Sequence, residues 1–189
     1  MTARSAGVYV HIPFCEQRCY YCAFAVAVSP EATWEPYIQR VVREIELSNF
    51  EDKPETIYFG GGTPSLVPAE HIERILRMFR GAPREVTIEA NPGTLSSEKL
   101  TRYREIGVNR ISLGAQSLED EDLQKAGRLH KAHHVFEDFE SLRRAGFENI
   151  NLDLIAGLPA QSFEVWSRNL DSALRLCPDG SAGTRPSRR

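Results

Sequence analysis

The chain alternates short β-type runs with amphipathic helical segments, and this alternation restricts its fold more than any other feature. Residues 8–12, 56–59, 86–89, 110–113 and 150–154 are short, largely apolar runs of the kind that form strands. None reaches its successor through a tight turn, so hairpins are excluded. Between them apolar residues recur at helical spacing, as in Trp34, Tyr37, Ile38, Val41, Val42 and Ile45, in Ile72, Ile75, Leu76 and Phe79, or in Val135, Phe136, Phe139 and Leu142. Strands joined through single helices need crossover connections, which are right-handed. The fold class is therefore α/β, a parallel sheet with helices on its outer face, either open or an incomplete barrel of about five βα units.

A local repeat supports the unit. Arg104-Glu-Ile-Gly-Val-Asn-Arg-Ile111 and Arg143-Arg-Ala-Gly-Phe-Glu-Asn-Ile150 both read as helix end, glycine stop, apolar residue and strand. Residues 1–176 are expected to form one domain. Residues 177–189, Cys177-Pro-Asp-Gly-Ser-Ala-Gly-Thr-Arg-Pro-Ser-Arg-Arg189, break the pattern and are expected to be a polar, disordered tail that cannot form a strand.

Twenty-three Lys and Arg against 26 Asp and Glu give a net charge of -3. No basic field exists to hold nucleic acid or an anionic membrane. No run approaches the roughly 20 apolar residues of a membrane span. Three of the four cysteines fall within eight residues, a spacing unsuited to a disulfide framework, so the chain reads as cytoplasmic with reduced thiols.

Those three are Cys15-Glu-Gln-Arg-Cys19-Tyr-Tyr-Cys22, in the loop after the first strand, where the thiols can converge on one centre. A structural zinc site closes with four ligands, and His11 could supply the fourth. An iron–sulfur cluster on three thiolates instead leaves one iron open to a small ligand. The run Gly60-Gly61-Gly62 after the second strand lets backbone approach a ligand closely, and a large side chain at Gly62 would then block that ligand while sparing the cysteines. Glu89 and Asp153 are carboxylates on otherwise apolar strands. Gln116 and Arg128 carry no signal of their own, Tyr21 fits a core aromatic as well as a site residue, and His130, His133 and His134 read as surface or helix-terminal histidines.

With Tyr21 before its last cysteine, CxxxCxxC resembles the signature of the radical SAM superfamily, in which the open iron of a [4Fe-4S] cluster binds S-adenosylmethionine (SAM). The run Val8-Tyr-Val-His-Ile-Pro-Phe-Cys15 is similar to one branch, the oxygen-independent coproporphyrinogen III oxidases and the HemW-type haem chaperones. Tyr58-Phe-Gly-Gly-Gly-Thr-Pro-Ser65, Thr87-Ile-Glu-Ala-Asn-Pro92, Ser112-Leu-Gly-Ala-Gln-Ser117, Gly127-Arg-Leu-His130 and Asn151-Leu-Asp-Leu-Ile-Ala-Gly-Leu-Pro159 extend the likeness to about residue 176. It implies an incomplete parallel (β/α)6-type barrel, a cluster on Cys15, Cys19 and Cys22, and a SAM pocket lined by Tyr9, Gly61, Gly62, Thr63, Glu89, Gln116, Arg128 and Asp153, with Tyr21 beside it.

Within that branch the oxidases continue the motif to CxxxCxxCxC, whereas Phe24 stands here, as in the chaperones. The resemblance therefore implies a haem chaperone delivering haem to an acceptor protein. The alternative is an oxidase in which reductive SAM cleavage starts radical chemistry on a porphyrinogen. The chaperones' C-terminal HNxxYW motif has no counterpart here, so the chain is expected to be a C-terminally shortened relative that holds haem weakly.

Overall fold

A computed structural model of the chain describes residues 6–48, 50, 53–176 and 180–184. The elements follow in the order β1 (Ala6–Ile12), α1 (Trp34–Ser48), β2 (Pro54–Gly61), α2 (Ala69–Leu76), β3 (Glu85–Ala90), α3 (Ser97–Glu105) and β4 (Arg110–Gln116). Then come α4 (Asp120–Lys125), α5 (Ala132–Arg144), β5 (Asn149–Ile155), α6 (Phe163–Leu176) and β6 (Gly180–Thr184). The strands lie side by side in sequence order, every neighbouring pair is parallel, and β1 does not meet β6. The result is an incomplete barrel.

The core lies on one side of this sheet. Val10, Ile12, Ile57, Phe59, Val86, Ile88, Ile111, Leu113, Ile150 and Leu152 project outward and are buried beneath helices. Ile38 of α1, Ile72 and Ile75 of α2, Leu100 and Tyr103 of α3, and Val135 and Leu142 of α5 meet them, all essentially inaccessible. Burying each such side chain contributes roughly 1.5–3 kcal/mol. Residues of opposite parity face the barrel interior, and they are polar: Tyr58, Thr87, Glu89, Ser112, Asn151 and Asp153 align across the strands in register.

Helix ends set where the chain turns back. Ser96 caps α3 by accepting a hydrogen bond from the Lys99 amide at 3.1 Å. At its far end Gly107, at φ +95°, lets the Val108 amide donate to Tyr103 O at 2.9 Å. The same turn closes α5, where Gly146 stands at φ +83° and the Phe147 amide donates to Leu142 O at 3.0 Å. Val108 and Phe147 both drop into the core after the turn. The sequence repeat is thus one Schellman motif used twice.

The structure departs from the sequence reading at the C-terminus, where Gly180–Thr184 forms a sixth strand parallel to β5. Ladder hydrogen bonds come from backbone groups, so the exposed edge of β5 can recruit even a Gly-Ser-Ala-Gly-Thr segment in which Thr184 is the single residue with a β preference. Cys177 lies outside the described residues.

A Cβ added at Gly107 or Gly146 meets nothing within 4 Å, so alanine there costs only the left-handed backbone strain. Gly107→Ala and Gly146→Ala should each lower stability by about 1–2 kcal/mol, additively, with an unchanged urea m-value. Phe147→Ala, which empties the core beside the same turn, should cost about 3–5 kcal/mol.

Candidate metal centre

The cysteine loop is clamped between two parts of the fold. At its base Phe14 packs on Tyr37 and Trp34, with ring centroids 5.2 and 5.8 Å apart. The Cys15 amide donates to Ala27 O at 3.0 Å and the Ala27 amide to Pro13 O at 2.8 Å. The end of β2 runs against the same segment: Gly62 N donates to Ile12 O at 2.9 Å and Thr63 N to Phe14 O at 2.7 Å. From the other side Tyr20 N donates to Ala126 O at 3.1 Å and Gln17 Nε2 to Gly127 O at 2.8 Å, pinning the loop to the end of α4.

The glycine run therefore has a purpose that its sequence did not disclose. A Cβ on Gly62 would lie 2.5 Å from Pro13 O and 2.6 Å from Phe14 O, and one on Gly61 2.5 Å from the His11 ring. The close approach these glycines permit is to the backbone and side chains that carry the cysteine loop. A large side chain at Gly62 cannot spare the cysteines.

Cys15, Cys19 and Cys22 are half-buried free thiols at the C-terminal end of the sheet. Thr63 Oγ1 donates to Cys15 Sγ at 3.7 Å, and Arg128 Nη1 approaches Cys19 Sγ at 3.6 Å and Tyr21 Oη at 3.5 Å. Burial pushes the Cys15 thiol up, opposed by the Thr63 hydrogen bond. Arg128 directly follows the turn that ends α4, in which its own amide donates to Leu123 O at 2.9 Å. Its Nη2 donates to Asn91 Oδ1 and to Gly114 O, both at 2.8 Å. Burial raises the Tyr21 phenol strongly despite the neighbouring guanidinium, so Tyr21 stays neutral.

The polar interior face continues the site away from the thiols. Glu89 accepts from Tyr58 Oη at 2.8 Å and from Gly61 N at 3.0 Å, and burial raises its carboxyl above the usual range. Asp153 accepts from Ser112 Oγ and from Asn151 Nδ2, each at 2.8 Å. Tyr9 stands exposed, stacked on Tyr58 with centroids 5.9 Å apart. Gln116 closes β4 at φ +68°, where the register with β5 shifts, a backbone state that non-glycine residues adopt at a cost of order 1–3 kcal/mol. The expected residues thus gather at one mouth of the barrel, Tyr9 at its rim.

Two metals can be weighed against this donor set. Tetrahedral zinc, with bonds of about 2.3 Å to sulfur, would draw its sulfurs to within roughly 4 Å of one another. Among the described residues the group of three metal-binding side chains whose ligand atoms gather within 4.8 Å is His133, His134 and Glu137, and the three cysteines form no such group. His11 donates from Nε2 to Ala25 O at 2.8 Å and turns its Nδ1 to Tyr9 Oη at 3.4 Å, and among the described residues it joins no metal-holding group with the cysteines. A cluster binds its thiolates through different irons and so does not require their sulfurs to lie this close, which is the donor set the three cysteines present. Arg128 Nε, buried without a protein partner, adds a donor facing an acceptor that the chain does not supply.

The histidines correct the sequence reading at one position. His130 is 7% exposed and bonded to Ala115 O at 3.1 Å, so it is an interior residue, and it precedes α5 rather than pairing with His134 along a helix. His134 Nδ1 accepts from the Lys131 amide at 3.0 Å, which leaves its proton on Nε2. Sequence reasoning missed Asn91, Tyr58, Ser112 and Asn151. Their signal was weak but present, since Asn91 continues the polar series Thr87 and Glu89 past β3, Ser112 shares the parity of Arg110 on β4, and Asn151 precedes Asp153 at the same parity on β5.

Residues 9–171 match the profile of the radical SAM superfamily. The chain is 40% identical over 181 residues to the haem chaperone HemW of Lactococcus lactis, covering 93% of this chain and 48% of that protein. It is 37% identical over 187 residues to the mitochondrial radical S-adenosyl methionine domain-containing protein 1 of Bos taurus, covering 94% and 42%. It superposes on coproporphyrinogen III oxidase HemN from Escherichia coli with a TM-score of 0.87 at 27% identity, covering 97% of this chain and 44% of that one. The chain thus spans about half the length of the curated relatives it matches.

Two outcomes follow from this geometry. Gly62→Val should lose iron after anaerobic reconstitution as completely as Cys15→Ala does, measured by iron and sulfide analysis, because it displaces the Pro13–Phe14 backbone that leads into Cys15. Separately, burial first and the Arg128 charge second push His130 down to about 3. The unfolded chain takes up a proton below its pKa of about 6.5 that the folded chain refuses, so stability falls with pH, by about 2 kcal/mol between pH 6.5 and 5. Urea unfolding at the two pH values should show this loss, and His130→Gln should lack it.

Proposed function

The chain belongs to the radical SAM superfamily, and on that premise we propose that it is a HemW-type haem-handling protein in which Cys15, Cys19 and Cys22 hold a [4Fe-4S] cluster and the adjoining strand ends hold SAM. Identity of 40% with a haem chaperone over 93% of the chain supports haem handling, and Phe24, where the oxidases carry a cysteine, separates this reading from porphyrinogen oxidation. When bound, the cluster and SAM supply one-electron chemistry at an open iron.

The chain's own groups have distinct tasks in this reading. Three thiolates leave one iron for SAM. Arg128 offers its unpartnered Nε to a carboxylate, and the Gly61–Thr63 segment, its three amides donating to Glu89, Ile12 and Phe14, offers carbonyl oxygens to the amine of an amino-acid moiety. Glu89, with Tyr58 and Gly61 N already on its oxygens, and Asp153, oriented by Ser112 and Asn151, serve as fixed acceptors for an amine or ribose. Gln116, Tyr9 and Tyr21 complete the lining. Haem passes to an acceptor protein in a reducing compartment, the cytoplasm in bacteria, where these thiols stay free.

The oxidase is the second reading, supported by the likeness to HemN. One anaerobic experiment separates them. The reconstituted chain, reduced with dithionite, should show an EPR signal that changes on adding SAM, yet should form no protoporphyrinogen from coproporphyrinogen. Haem titration followed by absorbance should give weak binding to this span. A spectrum unchanged at saturating SAM would remove the SAM site, and protoporphyrinogen formation would assign the oxidase instead.

A further inference from the structure

Building on the cluster assignment above, we propose that Asn91 is a positioning residue that sets the cluster's reduction potential by fixing two hydrogen-bond donors at two different thiolates. Asn91 follows β3 directly, and Pro92 behind it favours the extended backbone that keeps its side chain on the interior parity. One amide then touches two partners: Nδ2 donates to Thr63 Oγ1 at 2.9 Å, and Oδ1 accepts from Arg128 Nη2 at 2.8 Å. The orientation is chemically forced, because a guanidinium only donates and must meet the oxygen.

Each contact directs a proton at sulfur. With its oxygen accepting from Asn91, the Thr63 hydroxyl has its single proton left for Cys15 Sγ at 3.7 Å. Arg128, a rigid planar fork, spends Nη2 on Asn91 Oδ1 and Gly114 O and thereby turns Nη1 toward Cys19 Sγ at 3.6 Å. The path Cys15–Thr63–Asn91–Arg128–Cys19 is continuous and spans the two sides of the cysteine loop. Room for it is reserved at Gly114, where a Cβ would stand 3.3 Å from Asn91 Oδ1. Thr63 itself is 1% exposed, so its hydroxyl is oriented by the protein and not by bulk water.

Donors on cluster sulfurs stabilise the reduced, more negative state and raise its potential. Loss of Asn91 frees Thr63 and Arg128 to turn away and lowers the potential. The experiment is an EPR-monitored potentiometric titration of the reconstituted full chain without SAM, with iron content measured on each sample. Asn91→Ala and Thr63→Val should each shift the midpoint to more negative values, the double variant should shift less than their sum because both act through one path, and Thr63→Ser should titrate like the wild type. Asn91→Asp keeps the shape for folding while drawing the Thr63 proton away from sulfur, and should also shift negative. Unchanged midpoints in Asn91→Asp and Thr63→Val at full iron content, additive shifts, or iron loss with no change in the midpoint of the cluster retained would each overturn the assignment. A wild-type chain that binds no iron–sulfur cluster would overturn the underlying site itself, a separately visible result.

Discussion

Backbone docking of β2 on the segment that precedes and contains Cys15 is the contact on which the rest of the site depends. Gly62 and Thr63 donate to Ile12 and Phe14 across a gap that leaves no space for a Cβ at position 62. That contact fixes the base of the cysteine loop, brings the Thr63 hydroxyl to Cys15, and aligns the end of β2 with Glu89 on β3. Side-chain packing alone would hold the same parts with more freedom, since two short amide bonds specify both distance and direction.

The sheet makes such a site possible by packing its apolar core against only one face. Helices cover the outward residues, so the inward ones are released from core duty and can be polar without an orphaned burial cost. They satisfy one another in small sets, Tyr58 with Glu89 and Ser112 with Asn151 and Asp153, which orients the carboxylates before any ligand arrives. A second set, the buried Ser117, Asp122 and Asn169 with the half-buried Gln161, ties the end of β4 to α4 and α6. Since Arg128 follows α4 immediately, this distant network also bears on where the guanidinium stands.

Much of this was legible in the residues. The five strands, the repeated helix-ending turn at Gly107 and Gly146, and the three clustered cysteines all follow from periodicity, backbone preference and thiol chemistry, which act locally. Other parts were not. The interior position of His130 depends on a carbonyl of Ala115, 15 residues away, and Gly180–Thr184 became a strand only because β5 offered an unpaired edge. Asn91 looked like an ordinary strand-end residue because its partners, Thr63 and Arg128, lie 28 and 37 positions away.

The sequence by itself determined the α/β alternation, the ligand type and the thiol spacing, because periodicity and side-chain chemistry belong to short stretches of chain. Tertiary structure alone decided what each glycine faces, which way each strand's polar series points, and which donors reach sulfur. These are contacts between segments distant along the chain, and their geometry exists only once the crossovers have brought six strand ends to the same mouth.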